Sequence, residues 1–146
     1  MKNLIKKHSH VKLLMVFVLI AAMALTMTAC GKTEPQVVDG TIQSEGGDIG
    51  KGSKAFTFEV VDSKGETTTF HVKTDAEMVG EALQEVQLIA GEMGDYGLYV
   101  QTVNGETAVY ENGGHYWGFY VNGEYGMTGV DQTPIDTSAT YTFKYE

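Results

Sequence analysis

Apolar and polar residues alternate from Phe56 onward. Phe56, Phe58 and Val60 are separated by Thr57 and Glu59, a period of two that predicts a half-buried strand. Asp62-Ser63-Lys64-Gly65 has turn chemistry, and Thr68, Phe70 and Val72 resume the same period as the partner strand of a hairpin. The period then changes. Val79, Ala82, Leu83, Val86, Ile89 and Ala90 fall on one helical face, with Glu77, Glu81, Gln84 and Glu85 largely away from it. Thr74-Asp75-Ala76-Glu77 has capping-box spacing at the start of this helix, and Gly91 is placed as its stop. Tyr96 to Val100 predicts a strand, Val103-Asn104-Gly105 a turn, and Thr107 to Tyr110 a short strand or an irregular crossing. After a loop containing Gly129, Asp131, Pro134 and Asp136, the last strand puts Tyr141, Phe143 and Tyr145 on one face and Thr140, Thr142 and Lys144 on the other. A hairpin, one helix and further strands imply an α+β fold, a β-grasp-like mixed sheet with one helix packed across one face.

The clearest local signal is the stretch Gly113 to Gly126, which holds the only Trp of the chain. Asn122-Gly123 favours a tight hairpin turn, because both central residues must take positive φ. Alternation sets Trp117, Phe119 and Val121 on one face and Tyr116, Gly118 and Tyr120 on the other. Taking the Trp117 face as core leaves Tyr116, Tyr120 and Tyr125 to solvent, with Gly118 between them either as a gap that would admit a flat ligand or as the mark of a kink or bulge. A phenol offers a broad apolar face and one polar tip, which suits a sugar ring and other ring-shaped ligands.

The first thirty residues follow a different pattern. Lys2, Lys6, Lys7 and Lys12 precede an apolar run from Leu13 to Ala24, and small residues lead to Cys30, the only cysteine. This is the order of a secretory signal, with an apolar run too short for a comfortable membrane span. Met27-Thr28-Ala29-Cys30 is similar to the lipobox of bacterial lipoproteins, so residues 1–29 are expected to be removed and Cys30 lipidated at the outer face of a Gram-positive-type cell membrane. Residues 30–54 are rich in Gly and poor in large apolar side chains, which predicts a flexible tether. The folded domain is then expected over residues 55–146.

Losing four of ten lysines and none of nineteen acids leaves the remainder at net −13, with no arginine anywhere. Such a chain cannot displace counterions from phosphates, which excludes nucleic acid as a partner. No nucleophile–base pair, paired-carboxylate spacing or phosphate-cradling loop is present, so no catalytic residue, resident cofactor or metal site is expected. His71, within a strand, and His115, after two glycines, are read as surface histidines.

Tyr96-Gly97-Leu98-Tyr99-Val100, Val103-Asn104-Gly105, Tyr116-Trp117-Gly118-Phe119-Tyr120-Val121-Asn122-Gly123 and Gly129-Val130 together carry a resemblance. From about Phe56 to Glu146 the chain resembles the transcobalamin-like C-terminal domain family, also called DUF4430. This is the small β-domain that closes over vitamin B12 in its carriers. The resemblance implies cobalamin or a related corrinoid as ligand. Carried over by position, its contacts fall on Asp95 to Val100 and Trp117 to Gly126. The residues taken as ligand-binding are Tyr96, Gly97, Leu98, Tyr99, Tyr116, Trp117, Gly118, Phe119, Tyr120, Val121, Asn122 and Tyr125. The carriers add a large helical domain that supplies the other half of the pocket; none is expected in these 146 residues, so one face of the ligand is expected to stay open. The function expected is a lipid-anchored module that binds a corrinoid for uptake and hands it to a membrane transporter. The alternative is a non-catalytic surface adhesion or interaction domain for glycan or protein.

Overall fold

The computed structural model describes residues 45–146. The signal segment expected over residues 1–29, the lipidation expected at Cys30 and the tether up to residue 44 lie outside the described residues. Within them, the period-two pattern folds as read. Strand β2 (Lys54–Val61) buries Phe56, Phe58 and Val60 and pairs antiparallel with β3 (Thr67–Thr74), setting Phe58 opposite Phe70. The last strand, β9 (Thr140–Tyr145), lies parallel to β2 on its other side, with Phe58 beside Tyr141 and Val60 beside Phe143. Next to it, β7 (Trp117–Val121) runs antiparallel and forms a hairpin with β8 (Glu124–Tyr125). A short strand β1 (Gly47–Gly50) adds in parallel to the free edge of β3, and the sheet order is β1-β3-β2-β9-β7-β8. A mixed sheet with the last strand parallel to the first hairpin strand, and one α-helix among the described residues, is the α+β arrangement expected.

β1 corrects the tether boundary. Residues 47–50 were read as part of a tether ending at residue 54, yet Ile49 is 3% exposed and belongs to the core. One large apolar side chain is enough here because the backbone of β1 also completes the β3 ladder, a gain that composition does not display.

The helix is shorter than its periodicity suggests. α1 runs over Val79–Glu85 and buries Val79, Ala82 and Leu83 among the inward residues of β2, β3 and β9. It ends at Gln87, not at Gly91. Leu88 N–H reaches the Leu83 carbonyl at 2.9 Å and Gln87 N–H that of Gln84 at 3.0 Å, a Schellman closure with Gln87 at φ 57°. The usual glycine is absent from that position, so the stop is hidden in the sequence. Nor does the capping box form. Thr74 ends β3 and its Oγ accepts from Ala76 N–H, Asp75 accepts from Ser53, and Glu77 pairs with Lys54 Nζ at 2.6 Å. These side chains stitch the start of β2 to the entry of α1 instead of capping it; Met78 stands at the N-cap without a side-chain bond.

Ile89 and Ala90, read as helix, open a second sheet. Its strands are β4 (Ile89–Gly94), β5 (Gly97–Val103) and β6 (Glu106–Thr107), in that order. Register moves from Ala90 opposite Thr102 to Gly91 opposite Val100, leaving Gln101 as a bulged residue. The bulge shifts the side-chain parity, so Val100 and Val103 are both buried despite their odd spacing. The carbonyl freed at Gln101 accepts from Ala108 N–H at 2.8 Å. Both Asn-Gly turns form as read, with φ of 46° and 79° at Asn104-Gly105 and 51° and 82° at Asn122-Gly123. The core is aromatic: Tyr141 meets Phe56 edge-on at 5.3 Å, and Phe119 meets Phe143 at 5.2 Å. The buried Tyr141 hydroxyl donates to the Pro134 carbonyl and accepts from Asp136 N–H, which pins the loop before β9.

Candidate functional site

The hairpin β7–β8 behaves as its alternation predicts on the inner side. Trp117 and Phe119 are buried, and Val121 packs half-buried against the same core. On the outer side, Tyr116 and Tyr120 are half-buried instead of open. Their hydroxyls both donate to Glu146, Tyr116 to Oε2 at 2.8 Å and Tyr120 to Oε1 at 2.5 Å. A Cβ on Gly118 would meet the Tyr120 ring at 3.1 Å and the Glu146 carboxylate at 3.3 Å. The gap read as an approach for a flat ligand is therefore filled from within the chain. Lys144 Nζ adds a third contact to Glu146 at 3.3 Å.

This clamp shifts the titration of its members. Hydrogen bonds from Tyr120 and then Tyr116 hold the Glu146 carboxyl below the usual glutamate range, and the same bond pushes the Tyr120 hydroxyl up to about 12. A depressed carboxylate contributes stability above its unfolded value of 4.5, and that contribution is lost as pH falls through the lower folded value. Glu146→Gln is thus expected to lower the melting temperature at neutral pH, with the difference from the parent shrinking as pH drops below 4.5. A constant difference across pH 2–7 in thermal melts would show that the clamp does not act through its charge.

The concave site lies elsewhere, between the two sheets. A groove of about 380 Å³ is lined by Leu98, Tyr99 and Val100 of β5, by Tyr116, Trp117, Phe119 and Phe143, and by the segment Tyr125 to Val130. Of the residues expected to bind, Leu98, Tyr99, Tyr116, Trp117, Phe119 and Tyr125 come together here. Tyr96 and Gly97 sit at the end of the β4–β5 hairpin, where Gln132 donates to the Tyr96 carbonyl at 3.5 Å and the Asp131 carboxylate lies against Gly97. Gly118 and Tyr120 belong to the Glu146 clamp. Val121 and Asn122 line a neighbouring concavity of about 360 Å³, which shares Tyr125 to Thr128 with the groove. The Asn122 side chain is committed, accepting from Thr140 N–H at 2.9 Å.

Val100, within the span carried over from the resemblance, lines the groove too, whereas Met127, Thr128, Val130 and Phe143 do so without having been expected there. Gly129-Val130 supported the resemblance, and Met127, 98% exposed, stands in the same run. An apolar side chain in an otherwise polar loop was the available signal. The lining holds no Asp, Glu, Lys or His. Its polar groups are phenol and threonine hydroxyls, and the buried Trp117 Nε1–H has no partner. Such a surface can stack and donate single hydrogen bonds; it offers no acid or base. His115 lies outside it, with Nδ1 at 3.1 Å from the Glu146 carbonyl. Among the described residues no three His, Cys, Asp or Glu gather as a metal site. A further concavity of about 400 Å³ lies by the β2–β3 turn, where Asp62 Oδ1 is already taken by the N–H groups of Lys64 and Glu66.

Comparison with known proteins bears on this geometry. A family model described as Domain of unknown function (DUF4430) matches residues 76–146. Among solved structures, the chain is similar to a protein of Ruminococcus gnavus ATCC 29149 whose name assigns it metal binding provisionally. The two share 32% identity at a TM-score of 0.61, covering 64% of this chain and 97% of that one. It is also similar in fold to haptocorrin in complex with Cbi, at 17% identity and a TM-score of 0.54, over 64% of this chain. The chain spans only 25% of haptocorrin. No curated protein sequence matches it.

Proposed function

The chain belongs to the DUF4430 family, and from that footing we propose that it is a non-catalytic, lipid-anchored module outside the cytoplasm that binds a corrinoid in the groove between its two sheets. The observation that carries this reading is the groove itself. Its aromatic and aliphatic lining, free of Asp, Glu, Lys and His, suits a broad, mostly apolar ring system with amide edges. The fold it shares with haptocorrin, a protein seen with the cobalamin analogue Cbi, supports the choice of ligand class. Metal binding, provisionally named for the Ruminococcus protein, is not carried over, because the described residues gather no donor set for it.

The open groove covers one face of such a ligand, so modest affinity is expected from the chain alone. Titration with cobinamide and cyanocobalamin, followed by visible absorbance and calorimetry, is the test. Saturable binding with a spectral shift is expected, and Tyr99→Ala should weaken it about tenfold, through loss of one aromatic contact. No heat or shift up to about millimolar ligand would sink the corrinoid reading. One observation favours a second reading as a surface interaction domain: large apolar side chains are exposed beyond the groove, with Tyr96 at 96% and Met93 at 73%.

A further inference from the structure

We propose that the rim of the groove is a docking surface for a protein partner that presents lysine or arginine side chains on an apolar face, and that this partner closes the groove. The large apolar side chains exposed among the described residues are Met93, Tyr96, Tyr99, Tyr110, Tyr125 and Met127. They gather round one opening. Tyr99, Tyr125 and Met127 line the groove, Met93 is the register partner of the groove residue Leu98, and Tyr110 N–H points to the Tyr99 hydroxyl at 3.5 Å. Tyr96 stands at the tip of the same β4–β5 hairpin. The patch is wider than a small ligand needs, and exposed apolar area of this kind marks a macromolecular contact.

Charge selects the partner. Each rim tyrosine has an acid beside it. Asp95 precedes Tyr96, Glu111 follows Tyr110, Glu124 precedes Tyr125, and Glu92 lies opposite Tyr99 in the ladder. These four carboxylates are exposed and make no hydrogen bond or ion pair. The segment from Ile89 to Ala139 carries seven acids and no lysine or arginine. Lys54, Lys73 and Lys144, outside that segment, are paired with Glu77, Asp48 and Glu146. Aromatic faces next to unpaired carboxylates attract a cation twice, through the ring quadrupole and through charge. A second copy of this chain or an anionic lipid surface would set like charges against each other. The inference rests on the ligand reading only for what the partner covers; the patch and its charge stand without it.

The test uses a defined probe, an amphipathic helical peptide of about 18 residues built from Leu and Lys. Controls are a Leu/Glu counterpart and a Ser/Lys peptide of equal charge. The full chain should bind the Leu/Lys peptide saturably, with affinity that falls with added salt, and bind both controls weakly. A rim variant, Glu92→Gln with Glu111→Gln and Glu124→Gln, should lose about tenfold or more. A charge-matched distal variant, Glu45→Gln with Glu66→Gln and Glu81→Gln, should change by less than about twofold. Equal loss in both variants, equal binding of the Leu/Lys and Ser/Lys peptides, or self-association that competes with the peptide would each overturn the proposal. Corrinoid titration of the rim variant is read separately. It should match the parent, and an absence of corrinoid binding in the parent would refute the ligand while leaving the docking result intact.

Discussion

Replacing Phe58 by alanine is expected to lower the unfolding free energy by about 3–5 kcal/mol. Phe58 is fully buried in the central strand of the mixed sheet, with Phe70 stacked at 6.2 Å on one side and Phe143 edge-on at 6.2 Å on the other. It faces the ladder partners of both neighbouring strands, so no single element can move to fill the space its ring leaves. A domain of this size is usually stable by about 5–15 kcal/mol, which makes the loss a large share of the whole. Urea unfolding followed by Trp117 fluorescence would measure it. A loss under about 1 kcal/mol would mean that the sheet collapses around the cavity and that the aromatic stack is not the centre of the fold.

A second large effect is expected at Gly91, where the consequence falls on the groove. A Cβ there would overlap the carbonyl oxygen of Tyr99 and press on the Val100 backbone at 2.9 Å. These are backbone atoms held by the β4–β5 ladder and the Gln101 bulge, so they cannot turn aside as a side chain could. Gly91→Val should therefore open the β4–β5 pairing, at a cost of about 1–3 kcal/mol. It should also displace Leu98 and Tyr99, which form one wall of the groove, so corrinoid affinity should fall about tenfold or more. Gly94→Ala is the control, because its Cβ would meet only the Gly97 carbonyl at an ordinary 3.8 Å. Hydrogen exchange across β4 and β5 in both variants would separate a local opening from a global one. Protected amides in Gly91→Val would show that the bulge can absorb a side chain.

What the sequence made readable is what depends on local periodicity. The strands around Phe58, Phe70 and Phe143 and the two Asn-Gly turns repeat a pattern within a few residues, and each formed as expected. What it hid depends on partners far along the chain. β1 has one core side chain and exists because β3 offers a free edge. The helix stop at Gln87 uses a residue with no special preference for positive φ, while Gly91, a plausible stop, serves close packing of two strands. The site divided in the same way. Alternation set Trp117 and Phe119 on the core face, and the resemblance carried them, with Tyr99, to the site. Tyr120 was misplaced beside the groove because its partner, Glu146, lies twenty-six residues away in sequence. Met127 carried no periodic signal at all.

The strand order also governs presentation. The chain enters the described domain through β1, at one edge of the six-stranded sheet, and the groove is built at the opposite edge, against β7 and β8. Five inter-strand steps of about 4.8 Å put roughly 24 Å of sheet between the two. Whatever restrains the chain ahead of residue 45 therefore holds the molecule by its far side, like a hand on the handle of a ladle. A pull through residue 45 would load the β1–β3 ladder before it reached the residues that line the bowl.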